Sequence, residues 1–214
     1  MHLQKTGRIR PAFCFEKRNV NMSVDFRSAR FWAREMIEGA MFEGACAVDA
    51  TMGNGHDTQW LCELAGEAGR VYAFDVQAEA VERTAERLRE AGLGERARLF
   101  CAGHQHMCEY VHEPVDAIVF NLGWLPGAEH GVTTRTETTL QAVEAALQLL
   151  KEDGLMTICI YPGHEEGTRE LHALMDWAAK LDDRRYDALL KTYVNQPNDP
   201  PRMLAIRKKK TKKK

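Results

Sequence analysis

The residues best suited to chemistry fall in four short stretches, each just past an apolar run. The first is Val48-Asp49-Ala50-Thr51-Met52-Gly53-Asn54-Gly55-His56-Asp57-Thr58. A carboxylate, Asp49, closes the run, two glycines follow, and a helical pattern then begins. Glycines in such a turn permit positive φ and let backbone approach a ligand closely. In open α/β sheets the carboxyl end of the first strand is where ligands bind. The second stretch, Arg70 to Asp75, ends in another carboxylate, placed where it can hydrogen-bond the hydroxyls of a ribose. The third, Phe120-Asn121-Leu122-Gly123-Trp124-Leu125-Pro126-Gly127, carries an amide and an indole, and the fourth, Tyr161-Pro162-Gly163-His164-Glu165, a phenol, an imidazole and a carboxylate.

The elements that position these residues alternate in period. Strands are predicted at 45–50, 70–75, 97–102, 115–120 and 155–161, each an apolar run of buried-strand type. Helices are predicted at 24–42, 57–64, 77–91, 137–151 and from 166 to about 181, with a short one at 104–112. Such alternation implies right-handed βαβ units and a mostly parallel sheet covered on both faces. Two last strands, at 186–194 and 202–207, have no helix between them. They are therefore expected to form an antiparallel hairpin at the sheet edge. The predicted fold class is a Rossmann-like α/β domain with a seven-stranded, mostly parallel sheet, closed by that hairpin.

Two cofactors compete for the first turn. A nicotinamide dinucleotide wants G-x-G-x-x-G, but the third glycine position is Thr58, and no clear Tyr/Lys or His/Asp catalytic set accompanies it. The pattern D-x-x-x-G-x-G fits S-adenosylmethionine better, with the acidic strand end facing the cationic methionine portion directly or through water. The cofactor-binding set on this reading is Asp49, Thr51, Gly53, Asn54, Gly55, Asp57, Thr58, Asp75, Gln77, His104 and Asn121.

The net charge is only −2, so no global excess of positive charge marks a nucleic-acid partner, and any such partner must meet a local patch. The six cysteines include no C-x-x-C pair, and they read as small buried hydrophobes in a reducing cytoplasm rather than disulfides. No apolar run is long enough to cross a membrane. His104, His106 and His112 do not converge on one helical face with a fourth ligand, so no metal is expected. Residues 1–22 read as a disordered leader or a start called upstream of Met22, residues 23–207 as one domain, and 208–214 as a basic, solvated tail.

Taken together, DATMGNGHDT, the Asn121 stretch with Val132-Thr133-Thr134-Arg135-Thr136-Glu137, Tyr161-Pro162-Gly163-His164-Glu165 and Val194-Asn195-Gln196-Pro197-Asn198-Asp199-Pro200-Pro201 resemble the MnmM (YtqB) family over nearly all of 23–207. The resemblance implies a class I methyltransferase that uses S-adenosylmethionine. Its implied reaction is methylation of the aminomethyl nitrogen of 5-aminomethyl-2-thiouridine at the tRNA wobble position. It also implies binding to the anticodon stem-loop, and a homodimer. One departure concerns the end of the third strand, where the family's acidic residue is replaced by Ala102, before Gly103-His104-Gln105. Adenine recognition is then left to backbone groups or Gln105.

On this resemblance Asn121 sits where amine methyltransferases carry the Asn or Asp of an N-P-P-Y-type motif, and Trp124 is placed to stack on an extruded base. His164 is a third catalytic candidate, able to take up the amine proton or contact the RNA backbone. The acceptor substrate is assigned Leu122, Gly123, Trp124, Pro126, Thr133, Thr134, Tyr161, Gly163, His164, Glu165, Asn195 and Gln196. Two other readings stay open: methylation of rRNA or a small-molecule amine, and a catalytically silent RNA-binding protein.

Overall fold

The structure is a computed structural model, and it describes residues 28–123 and 134–211. In chain order the elements are α1 (Ala29–Ala40), β1 (Cys46–Asp49), α2 (His56–Ala65), β2 (Arg70–Asp75), α3 (Ala78–Glu90), β3 (Ala97–Cys101), α4 (Met107–Tyr110), β4 (Val115–Asn121), α5 (Thr136–Leu149), β5 (Leu150–Ile160), α6 (Glu165–Ala178), β6 (Tyr186–Lys191) and β7 (Arg202–Lys208). Short 3-10 turns precede β3 and α4.

The strands form one seven-stranded sheet in the order β3-β2-β1-β4-β5-β7-β6. β1 through β5 run parallel, while β7 pairs antiparallel with both β5 and β6. Successive side chains on a strand point to opposite faces, and the burial follows that alternation. Val48, Phe74, Ile118, Phe120, Ile158 and Leu204 belong to one apolar layer. Ala47, Val71, Ala117, Val119, Cys159 and Met203 belong to the other. The first layer is capped by α5 and α6, the second by α1 and α2.

Helix α1 shows how sequence spacing becomes packing. Ala29, Ala33 and Ile37 recur at four-residue intervals and are buried, which lays one stripe of the helix on β5 and β7. The Ser28 hydroxyl accepts from the Phe31 amide and caps the start. That leaves Arg30 and Arg34, one helical turn apart, on the flank that faces α2.

Among the described residues the predicted elements are present, with the first helix beginning at Ala29 rather than 24 and two further differences that matter. The fifth strand starts at Leu150 rather than after Gly154. Its first residues form an irregular section, with Asp153 at φ 63° and a register shift against Val115/Ala117. The described part of the basic tail, residues 208–211, also differs from the expected solvated segment, since β7 continues through Lys208. Lys208 Nζ donates to the carbonyls of Leu147 and Leu150, 3.2 and 2.7 Å away, at the C-terminal end of α5. Beyond it, Lys209 pairs with Asp187, Lys210 with Asp153, and the Thr211 hydroxyl bonds Glu152. A cation there satisfies carbonyls that the helix leaves unpaired and opposes the negative end of its dipole. A chain ending at Arg207 should therefore lose about 1–2 kcal/mol of stability. In a thermal melt this corresponds to a Tm roughly 2–8 °C lower; an unchanged Tm would return the tail to the status of a solvated appendage.

Candidate active site

The chain order reverses between β1 and β4, because β2 and β3 continue to one side of β1 while β4 and β5 extend to the other. At such a switch point the loops leaving neighbouring strands turn in opposite directions, and a crevice opens at the carboxyl edge. A cleft of about 730 Å³ occupies this place, within the range of small-ligand sites. Its walls come from the β1–α2 turn, the ends of β2, β3 and β4, the start of α1, and the residues after β5.

The β1–α2 turn is built around Asp49, which is wholly buried. One carboxylate oxygen accepts from the Thr51 amide at 3.1 Å and the other from the Thr58 hydroxyl at 2.7 Å. Burial pushes its pKa up to about 7, reinforced by the charge of Asp57 and opposed by those two hydrogen bonds. Gly53 and Gly55 take positive φ, 50° and 77°. At Gly55 a Cβ would lie 2.8 Å from the Thr84 hydroxyl of α3, so both the conformation and the close approach require glycine. The Asp75 carboxylate accepts from the Gly53 amide at 3.0 Å and the Gln77 amide at 3.0 Å, and it lines the cleft. Asn54 is held from α3 by Arg87, which donates to its carbonyl at 2.8 Å.

The wall at the end of β3 includes Gly103, His104 and Gln105. His104 Nδ1 lies 3.2 Å from the Ala50 carbonyl, and burial lowers its pKa to about 4. The ring is therefore neutral, with Nδ1 carrying the proton and Nε2 an acceptor.

Across the cleft, the Asn121 backbone amide donates to the Thr51 hydroxyl at 2.7 Å. Its side-chain Nδ2 donates to Asp57 at 2.6 Å. The other oxygen of Asp57 accepts from Arg30 Nη2 and Arg34 Nε, both at 2.9 Å, and from Arg34 Nη2. Burial alone would raise the Asp57 pKa, but the two guanidinium groups outweigh it and hold the carboxyl below its ordinary value. The Asn121 Oδ1 atom is buried and has no hydrogen-bond partner among the described residues. Tyr161, beside Arg30 in the same wall, has a phenol that burial pushes up to about 12, so it stays protonated.

Past β4 the chain is tied down at Gly123 and Thr134. The Gly123 amide donates to the Thr134 hydroxyl at 2.9 Å and the Thr134 amide to the Gly123 carbonyl at 3.2 Å. The Thr134 hydroxyl also donates to Glu170 of α6, a buried carboxylate whose second oxygen accepts from Thr139. Glu166 receives both the amide and the hydroxyl of Thr136, at 2.8 and 2.9 Å.

The structure brings together at the cleft Thr51, Gly53, Asn54, Asp57, Asp75, Gln77, His104 and Asn121 of the predicted cofactor set. It adds Leu122, Gly123, Thr134, Tyr161 and His164 of the acceptor set. Asp49, Gly55 and Thr58 support the turn from behind rather than line it. Asn195 and Gln196, in the β6–β7 connection, are exposed and do not line the cleft. Glu165 points to solvent, paired with Arg169, and Gly163 is exposed. Trp124, Pro126 and Thr133 lie outside the described residues.

His164 needs a correction. It is the N-cap of α6, and its Nδ1 accepts from the Gly167 amide at 3.1 Å. In the neutral ring the proton then sits on Nε2, a donor, so the nitrogen that could take a proton is already engaged. Arg30, Arg34, Glu166 and Glu170 were missed. Glu170 had a signal, since it falls on the apolar stripe of α6 with Leu171 and Leu174.

Sheet order, inserted antiparallel strand and switch-point cleft define the class I S-adenosylmethionine-dependent methyltransferase fold. The chain belongs to the family described as "Putative rRNA methylase", whose profile matches residues 71–207. It is 34% identical over 178 residues to the chloroplastic tRNA (mnm(5)s(2)U34)-methyltransferase of Arabidopsis thaliana, a match covering 78% of this chain and 65% of that protein. The chain thus spans just under two thirds of the length of this curated relative. A "putative rRNA-methylase" from Clostridium thermocellum superposes with a TM-score of 0.85 at 37% identity, over 86% of this chain and 100% of that one. A "putative methyltransferase" from Streptococcus mutans, solved in complex with SAH, gives a TM-score of 0.79 at 34% identity, over 86% and 99% of the two chains.

The position of Asp49 sets a pH dependence. Its folded pKa is about 7, against an ordinary value of 3.8, so between those values the folded state binds more protons than the unfolded one. Stability from this group is then lost as pH rises through that window. Asp49→Asn removes the titration, so its Tm relative to the parent should rise steadily between pH 5 and pH 7.5. A pH-independent difference would show that Asp49 is not the titrating group.

Proposed function

We propose that the protein transfers a methyl group from S-adenosylmethionine to the aminomethyl nitrogen of 5-aminomethyl-2-thiouridine at the tRNA wobble position, giving 5-methylaminomethyl-2-thiouridine. The observation that carries this reading is the amide oxygen of Asn121, which has no hydrogen-bond partner among the described residues and is buried where the cofactor side of the cleft meets its acceptor side. A buried acceptor left without a donor costs on the order of 1–3 kcal/mol, and an amine N–H is the donor that this reaction would bring. The name of the plant relative, a tRNA (mnm(5)s(2)U34)-methyltransferase, agrees with that chemistry.

The cleft suits the cofactor. Asp75 is held by two backbone amides with lone pairs left over for ribose hydroxyls, and it gives the cleft a negative group for a cationic ligand. His104 Nε2 and the Gln105 carboxamide supply acceptor and donor groups for a purine edge where the family's acidic residue is missing. The bound cofactor supplies an already activated methyl group, so the protein need not form a covalent intermediate.

The chain's own task is alignment. Asn121 Oδ1 and the Leu122 carbonyl accept N–H bonds from the neutral amine, which turns its lone pair toward the methyl carbon. Tyr161 and Arg30 form the wall beside it, Arg135 presents a cation to the RNA backbone, and Trp124 stacks on the extruded base.

Nucleoside mass spectrometry of tRNA from a strain lacking the protein should show 5-aminomethyl-2-thiouridine in place of its methylated form. Methylation lost only from rRNA would sink the proposal. Asn121→Ala should lower turnover on tRNA carrying that nucleoside at least about tenfold while leaving cofactor affinity nearly intact. Asp75→Ala should do the reverse, weakening cofactor binding in calorimetry by roughly 1–3 kcal/mol. Equal effects of the two variants on both measurements would contradict this division of the cleft.

A further inference from the structure

We propose that Asp57 is a positioning residue for methyl transfer, clamped by Arg30 and Arg34 so that it holds the Asn121 carboxamide with its oxygen toward the acceptor amine. This rests on the reading of Asn121 given above and assigns Asp57 a different task from cofactor binding.

A primary carboxamide is nearly symmetric in shape, and turning it over exchanges an acceptor for a pair of donors. Which face it shows is decided by its partners. An ionised carboxylate only accepts, so the 2.6 Å contact with Asp57 must involve the Asn121 NH2 group. The carbonyl oxygen then points away from Asp57, and it is the atom that is buried and unpartnered among the described residues.

The orientation matters for the reaction. With oxygen toward the substrate, Asn121 accepts an amine N–H and leaves the nitrogen lone pair free. With NH2 toward the substrate, it would donate to that lone pair and mask the nucleophile.

The lock works only while Asp57 is ionised and fixed. Arg30 and Arg34 secure both conditions, since they engage the oxygen that Asn121 does not use. Three guanidinium N–H groups converge on that one oxygen, which favours the ionised carboxylate, while Asn121 holds the other oxygen. Asp57 is 7% exposed, so water competes little for it. The two arginines come from α1, and the amide from the end of β4, so a helix on one side of the turn sets a side chain on the other.

The test is a double-mutant cycle. Asp57→Asn keeps the shape but presents an amide to Asn121, so either orientation becomes available. On tRNA carrying 5-aminomethyl-2-thiouridine its kcat should fall at least about tenfold, with KM for tRNA and the calorimetric Kd for S-adenosylmethionine within about twofold of the parent. In the Asn121→Ala background the same substitution should change kcat less than about twofold, because no carboxamide remains to orient. Equal losses in both backgrounds, or a parallel loss of cofactor affinity, would overturn the proposal. Parent-like turnover in Asn121→Ala alone would instead remove the reading of Asn121 on which it rests.

Arg34→Gln provides a second route should Asp57→Asn melt early, since Arg34 does not line the cleft. It should lower kcat by about two- to fivefold in the parent and leave the Asn121→Ala variant unchanged. An equal loss in both would show that α1 supports the fold and not the amide.

Discussion

Three carboxylates, Asp49, Asp57 and Asp75, converge on the turn between β1 and α2, and like charges so close repel unless each is engaged. Each is held by a different kind of donor. Asp49 takes a backbone amide and a threonine hydroxyl, Asp75 takes two backbone amides, and Asp57 takes two guanidinium groups and a carboxamide. Only Asp57 is paired with full positive charges. The turn therefore keeps a negative character toward the cleft, which favours a ligand with a cationic centre. The same bonds fix the backbone, so that negative wall needs no reorganisation when a ligand arrives.

The dependence of this turn on distant elements explains why the site cannot be assigned to one segment. The family profile covers 71–207, which contains Asp75, Asn121 and the residues after β5. It omits α1, β1 and the turn itself. Yet β1 is a central strand, bonded to β2 and β4, and the charges that hold Asp57 come from α1. The Asn121 backbone amide donates to the Thr51 hydroxyl, so the end of β4 is tied directly to the turn.

Periodicity made most of this fold legible. Buried parallel strands read as apolar runs, and the missing helix between the last two strands announced the antiparallel hairpin. The start of β5 was hidden because Glu152-Asp153-Gly154 has turn chemistry, and only the neighbouring strand makes it part of a sheet. Lys208 was hidden for a related reason, since its partners are carbonyls of Leu147 and Leu150, some sixty residues earlier (208 − 147 = 61). In the site, residue types at strand ends point to the edge where the cleft opens but not to which side of the turn each side chain takes. Asp49, expected to face the methionine portion, bonds Thr58 behind the turn, whereas Asp57 lines the cleft. Arg30 and Arg34 look like an ordinary polar flank of α1 until α2 is placed beside them.

The side of the cleft past β4 is organised by a different constraint. Gly123 and Thr134 bond one another directly. Glu170 fixes that pair from below. Burial raises its pKa, and hydrogen bonds from Thr139 and Thr134 oppose that rise. A carboxyl retained in an apolar stripe is costly, and its contacts go to Thr139 in the first turn of α5 and to Thr134, which bonds Gly123. The β1–α2 turn thus hangs on α1 and α3 and the pair Gly123–Thr134 on α5 and α6, helices on opposite faces of the sheet. Asn121, at the end of β4, is bonded to Thr51 and Asp57 on the first side and is followed by Gly123 on the second, so it stands where the two supports meet.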